Sequence, residues 1–142
     1  MKTISEVQDE IIEEFSLFDD WMDKYANLIE MGNELEDIDP KYKVDNYLIK
    51  GCQSRVWLYP TFEEGRIHFD GESDAIIVKG LVSLLLKVYE NRTPKEILNS
   101  ELYFIEKIGL TQHLSPTRSN GLLSMVKQMR LYAMAYDRKM NV

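Results

Sequence analysis

Residues 56–69 read Val56-Trp57-Leu58-Tyr59-Pro60-Thr61-Phe62-Glu63-Glu64-Gly65-Arg66-Ile67-His68-Phe69. The reading of this stretch decides the fold class. Val56-Trp57-Leu58-Tyr59 is β-branched and aromatic, hence β-prone, and its run is expected to end at Pro60. Glu63-Glu64-Gly65 reads as a turn, and Ile67-His68-Phe69 alternates between two faces. Just upstream, Tyr47 to Ile49 is a short apolar run, and Gly51-Cys52-Gln53-Ser54 reads as a turn between strands. The expectation is a small antiparallel sheet of two or three strands.

Helical patterns flank this unit on both sides. Thr3 with Glu6 has capping-box spacing, and Ile4, Val7, Ile11, Ile12 and Phe15 follow on one face. Ser16 with Asp19 repeats the start signal, and a second stripe from Phe18 to Ile29 ends near Gly32. Residues 37–45 are polar, contain Pro40 and read as loop. Beyond the strands, Asp70-Gly71-Glu72-Ser73-Asp74 is expected to cap a helix over Ala75 to Tyr89, which is apolar on most sides and reads as the central buried helix. Thr93-Pro94-Lys95-Glu96 starts a short helix to about Asn99, and another covers Leu102 to Ile108 before Gly109. Ser115-Pro116 opens the last helix, with Leu122, Val126, Met129 and Ala133 on one face. Helices, a small sheet, then helices again describe an α+β fold, read as one domain over residues 1–142.

Composition narrows the function. The 142 residues are 44% apolar, enough for an ordinary buried core. With 24 acidic and 17 basic residues the formal charge is −7, which argues against nucleic acid as a partner. The acids crowd the first forty residues, whereas the last helix carries Lys127, Arg130, Arg138 and Lys139. No signal-peptide pattern or membrane span is read, and the expected location is the cytoplasm. A single cysteine excludes an internal disulfide and a multi-thiolate metal centre within one chain, and suits a reducing compartment.

That cysteine, Cys52, is the residue with covalent chemistry. Free cysteine is commonly just a small buried apolar side chain. Here it lies between Gly51 and Gln53-Ser54, off any apolar periodic face. Turn amides and the Ser54 hydroxyl are expected to donate to a thiolate, and Lys50 and Arg55 to lower the thiol pKa. A hydrolase would need a histidine base, and His68 and His113 lie in no hydrolase signature. Accepting and passing on sulfur needs only a thiolate, a sulfur electrophile and access. Arg118, in the first turn of the last helix, faces the positive end of the helix dipole. It is either simply solvated or held for a partner carboxylate or for the Cys52 loop.

Three blocks resemble the SufE family of sulfur acceptors. They are Gly51-Cys52-Gln53-Ser54-Arg55-Val56-Trp57, residues 70–81 from Asp70 to Leu81, and residues 110–122 from Leu110 to Leu122. Their order and spacing match the family over nearly the whole chain. The resemblance implies an α+β fold related to the IscU-type scaffold proteins of iron–sulfur assembly. It implies a cysteine desulfurase of the SufS/CsdA kind as partner, whose pyridoxal phosphate does the chemistry, while this chain binds no cofactor or metal of its own. By resemblance Cys52 takes persulfide sulfur, stimulates the desulfurase and passes the sulfur to a scaffold protein. Gly51, Gln53, Ser54, Trp57, Asp74, His113 and Arg118 would support it or contact the partner. Arg55 and Tyr103-Phe104 depart from the commoner residues of relatives and bear on partner preference.

The resting position expected for Cys52 is a sheltered one, against a pocket lined by Met, Leu and Trp57, from which it swings out on docking. Two other readings stay open: an independent cysteine hydrolase or transferase with His113 as base, and an interaction module with a structural cysteine. A monomer and a homodimer both stay open.

Overall fold

A computed structural model gives the fold and describes residues 1–140. Its centre is an antiparallel pair, β1 (Val56–Glu63) and β2 (Arg66–Ser73), in register from Val56 opposite Ser73 to Glu63 opposite Arg66. Glu64 (φ 52°) and Gly65 (φ 77°) form the two-residue connection, and positive φ at both positions matches the twist of a tight hairpin. The third strand stays unformed: Leu48 makes only an isolated bridge to Trp57. Two expected boundaries move. β1 does not stop at Pro60, which pairs with Phe69. In a two-stranded sheet every strand is an edge, so a residue without an N–H is accommodated. Residues 70–73 are the end of β2 rather than helix caps, and Glu72 and Ser73 are buried.

Helices α1 (Ile4–Ser16) and α2 (Trp21–Asn33) precede the sheet. The Thr3–Glu6 capping box forms in full. The second helix starts later than the Ser16–Asp19 spacing suggests, because the Ser16 hydroxyl donates back to Glu13 C=O and Asp20 caps α2 through the Asp23 N–H. Residues 37–47 form a strap with two short 3-10 turns, Pro40–Tyr42 and Asp45–Tyr47.

After the sheet, α3 (Ile76–Tyr89) is the central helix, with Val78, Leu81, Val82, Leu84, Leu85, Val88 and Tyr89 all buried. It packs on α2 at a close crossing: a Cβ on Gly80 would overlap Leu28 O and lie 2.7 Å from Leu28 Cγ, and one on Gly32 would lie 2.7 Å from Gly80 N. Short helices α4 (Pro94–Leu98), α5 (Phe104–Lys107) and α6 (Leu110–His113) lead to the long α7 (Pro116–Met140). The Thr93–Glu96 box caps α4 as expected, whereas α6 lies in a stretch where the sequence suggests no helix. Arg130 of α7 donates to the carbonyls of Ile97, Leu98 and Ser100, satisfying the open C-terminal end of α4. No described helix is long and apolar enough to cross a membrane.

Candidate functional site around Cys52

Cys52 sits on a short loop whose two feet are fixed. On the entry side, Ile49 N–H donates to Val56 C=O at 2.8 Å. On the exit side Arg55 is held three ways. Its N–H donates to Asp74 Oδ1 (3.0 Å), and its carbonyl accepts from the Ser73 hydroxyl (2.8 Å) and from Asp74 N–H (3.2 Å). Asp74 therefore caps no helix; it ties down the exit of the cysteine loop.

The loop tip rests on α7. The Cys52 S–H donates to Gly121 C=O at 3.5 Å. Gly51 has φ 91°, a conformation that calls for glycine, and a Cβ there would lie 2.6 Å from Ser124 Oγ, so that side chain or the loop would have to shift. Beside the thiol opens a cleft of about 380 Å³. Val78 and Leu81 of α3 and Met125 of α7 give it an apolar wall, and Gln53, Ser54, Thr117 and Arg118 a polar mouth. Ser115 caps α7 through the Arg118 N–H (3.2 Å), which sets Arg118 in the first turn as expected.

The thiol is half-buried, and that burial pushes its pKa above the ordinary value. This reverses the expected effect of Lys50 and Arg55. Both are exposed, and the resting sulfur is a thiol donating to a carbonyl rather than a thiolate receiving amides.

Two expected site residues lie elsewhere. Trp57 is buried in β1 opposite Glu72, under the Lys43 ammonium at 4.9 Å, and does not line the cleft. Lys43 pairs with buried Glu72 at 2.9 Å, so Trp57 helps seat the strap. His113 stacks on Trp21 at 4.2 Å and lines a separate depression with Lys24 and Gln112. His68 pairs with Glu90 at 2.8 Å on β2. No histidine lines the cysteine cleft among the described residues.

Residues 9–133 match the model of the SufE family, described as an Fe-S metabolism associated domain. The chain belongs to the SufE family. A solution structure of a hypothetical protein from Thermus thermophilus has the same fold, with TM-score 0.75 over 92% of this chain and 95% of that one at 18% identity. The α+β architecture with a two-stranded antiparallel sheet agrees with the reading from sequence.

In this SufE-family chain, six residues lining the cleft escape a reading of the sequence for site residues: Val78, Leu81, Ser115, Thr117, Gly121 and Met125. Three look like ordinary core at helical spacing. Gly121 does carry a signal, since a glycine inside a helix costs about 1 kcal/mol against alanine and asks for a reason. It lies under the cysteine loop: Cys52 Sγ is 3.5 Å from where a Cβ on Gly121 would be, an ordinary contact distance.

Proposed function

We propose that this chain is a sulfur acceptor in iron–sulfur metabolism, loaded on Cys52 by a cysteine desulfurase. The observation that carries the proposal is the seat of the one thiol: a loop tip with fixed feet, resting beside a cleft with an arginine at its mouth. Family membership supports the metabolic setting.

The step follows from thiol exchange. A Cys52 thiolate attacks the terminal sulfur of the donor's persulfide. The donor's S–S bond breaks, its own thiolate leaves, and the sulfur is now held as a persulfide on Cys52. Nothing is oxidised overall, and the Cys52 proton goes to solvent or to the departing thiolate. At rest the buried thiol keeps its proton, which makes it a poor nucleophile toward stray electrophiles. Displacing the tip from α7 restores solvation, lowers the pKa and exposes the sulfur. The partner's docking energy drives that displacement, a population shift of a loop already hinged at both feet. Clearing the donor's persulfide frees the desulfurase for its next turnover, which is how the acceptor stimulates it. Arg118 orients an acidic group of the partner. A scaffold protein of cluster assembly then takes the sulfur. The pyridoxal phosphate belongs to the desulfurase, and the chain acts as one domain in the cytoplasm.

The reading of Cys52 as the nucleophile of an independent hydrolase has less support, because His113 is occupied against Trp21 and does not line the cleft. The test is the rate of cysteine turnover by a desulfurase with and without this chain. Faster turnover with the parent, and no acceleration with Cys52→Ser, supports the proposal. Equal rates with parent and variant, for several desulfurases, would overturn it.

A further inference from the structure

We infer that Ser124 is the positioning residue for the cysteine loop, and that the bulk of the side chain at 124 sets how often the Cys52 thiol is reachable. The inference rests on the sulfur-acceptor reading for its meaning, but its geometry stands apart from it.

Gly121 and Ser124 lie three residues apart on α7, so they share one edge of the helix. Two consecutive loop residues rest on that edge: Cys52 on Gly121 and Gly51 on Ser124. The two contacts differ in tightness. A Cβ on Gly121 would meet Cys52 Sγ at 3.5 Å, an ordinary contact, so that site has room. A Cβ on Gly51 would meet Ser124 Oγ at 2.6 Å and Ser124 Cβ at 3.4 Å, so the Ser124 side chain or the loop would have to shift. The Ser124 hydroxyl makes no hydrogen bond among the described residues, and what it offers the loop is volume.

Which side yields when the contact is crowded follows from burial. α7 is anchored at this level by Leu122 and Met125, each 3% exposed. Gly51 is exposed, and the loop is held at its feet rather than its tip. A larger side chain at 124 therefore lifts the loop, not the helix. Lifting Gly51 carries the neighbouring Cys52 away from Gly121 C=O and out of the apolar wall that holds its proton.

The experiment is the alkylation rate of the single cysteine by iodoacetamide in the full chain, read against pH, with thermal melts as a check on folding. Ser124→Ile places a stiff β-branched side chain that cannot swing clear within the helix. It is expected to raise the rate at neutral pH about tenfold, one decade in the seated-to-lifted equilibrium, and to move the pH midpoint down. Ser124→Ala removes only the hydroxyl and is expected to stay within about twofold of the parent. A parent-like rate and midpoint in a folded Ser124→Ile variant overturns the inference. Should that variant not fold, Gly51→Ala with and without Ser124→Ala decides. The strain of positive φ is common to both, so a slower rate in the double variant measures the 51–124 contact alone, and equal rates overturn the inference. None of these arms needs a desulfurase. Failure here leaves sulfur acceptance untouched, and failure of sulfur acceptance in the parent leaves the loop contact standing.

Discussion

Cys52 Sγ lies 3.5 Å from the main-chain carbonyl of Gly121, with its S–H pointed at an acceptor that a thiolate could not use. The pair ties the chemistry of the loop to the surface of α7: the proton and the seat are lost together. The resting chain thus keeps its only thiol both sheltered and protonated, and the expectations about the loop follow from parts of that arrangement.

The pH dependence has a definite sign. Burial raises the Cys52 pKa in the folded chain, so its alkylation is expected to accelerate through a midpoint above about 8.5, the usual free-thiol value. The same shift acts on stability. The contribution is fully present below the unfolded thiol pKa and is lost as pH rises through the folded one, because the unfolded chain ionises first. Mass-resolved alkylation across the neutral and alkaline range checks the midpoint. A value below about 8.5 would contradict the buried-thiol geometry.

Asp74 holds the loop exit. Asp74→Ala removes the acceptor for Arg55 N–H while leaving the exposed surface otherwise unchanged. The loss in stability is expected to be small, about 1 kcal/mol, as for one exposed hydrogen bond to a carboxylate. Cys52 alkylation is expected to speed up severalfold because one foot of the loop is released. Chemical denaturation and alkylation together separate the two effects, and an unchanged alkylation rate would remove Asp74 from the latch.

Gly80 tests the packing that carries α3. Alanine for glycine inside a helix ordinarily stabilises by up to about 1 kcal/mol. Here the added methyl would overlap Leu28 O, backbone that cannot rotate away. Gly80→Ala is therefore expected to destabilise by about 2 kcal/mol or more through overpacking. A stabilised variant in a thermal melt would show that α2 and α3 cross less closely than described.

Arg118 is exposed and makes no ion pair among the described residues, and a cation in the first turn of α7 slightly opposes the helix dipole. Arg118→Ala is expected to leave the melting temperature unchanged or slightly raised. Stimulation of a desulfurase should fall about tenfold, with weaker salt dependence than the parent. Unaltered stimulation would mean that the arginine is merely solvated.

Much of the fold is legible in the sequence because its signals are local. The Thr3–Glu6 and Thr93–Glu96 boxes, the Glu64-Gly65 turn and the buried period of α3 each need only a few neighbouring residues to be read. Residues 70–73 are not legible, since acids and glycine that suit a helix start also fit the end of a strand when its partner, Val56 to Tyr59, supplies the ladder. Cys52, Gly51 and Arg118 can be marked from the sequence. The thiol's proton state cannot, because it depends on Gly121, Leu81, Val78 and Met125 closing around the sulfur from two helices distant in sequence. Trp57 and His113 show the converse. Trp57 belongs to the cysteine block and His113 to the third block, yet neither lines the cleft: one lies under Lys43 and the other stacks on Trp21.

Sulfur acceptance by Cys52 underlies the proposed function. Its most direct test is the intact mass of the full chain after incubation with a cysteine desulfurase and free cysteine. The expected result is a gain of one sulfur atom, reversed by reductant and absent in Cys52→Ser, with the variant's melt close to the parent's. No gain in mass with any desulfurase tried, or a gain that survives in Cys52→Ser, would contradict it.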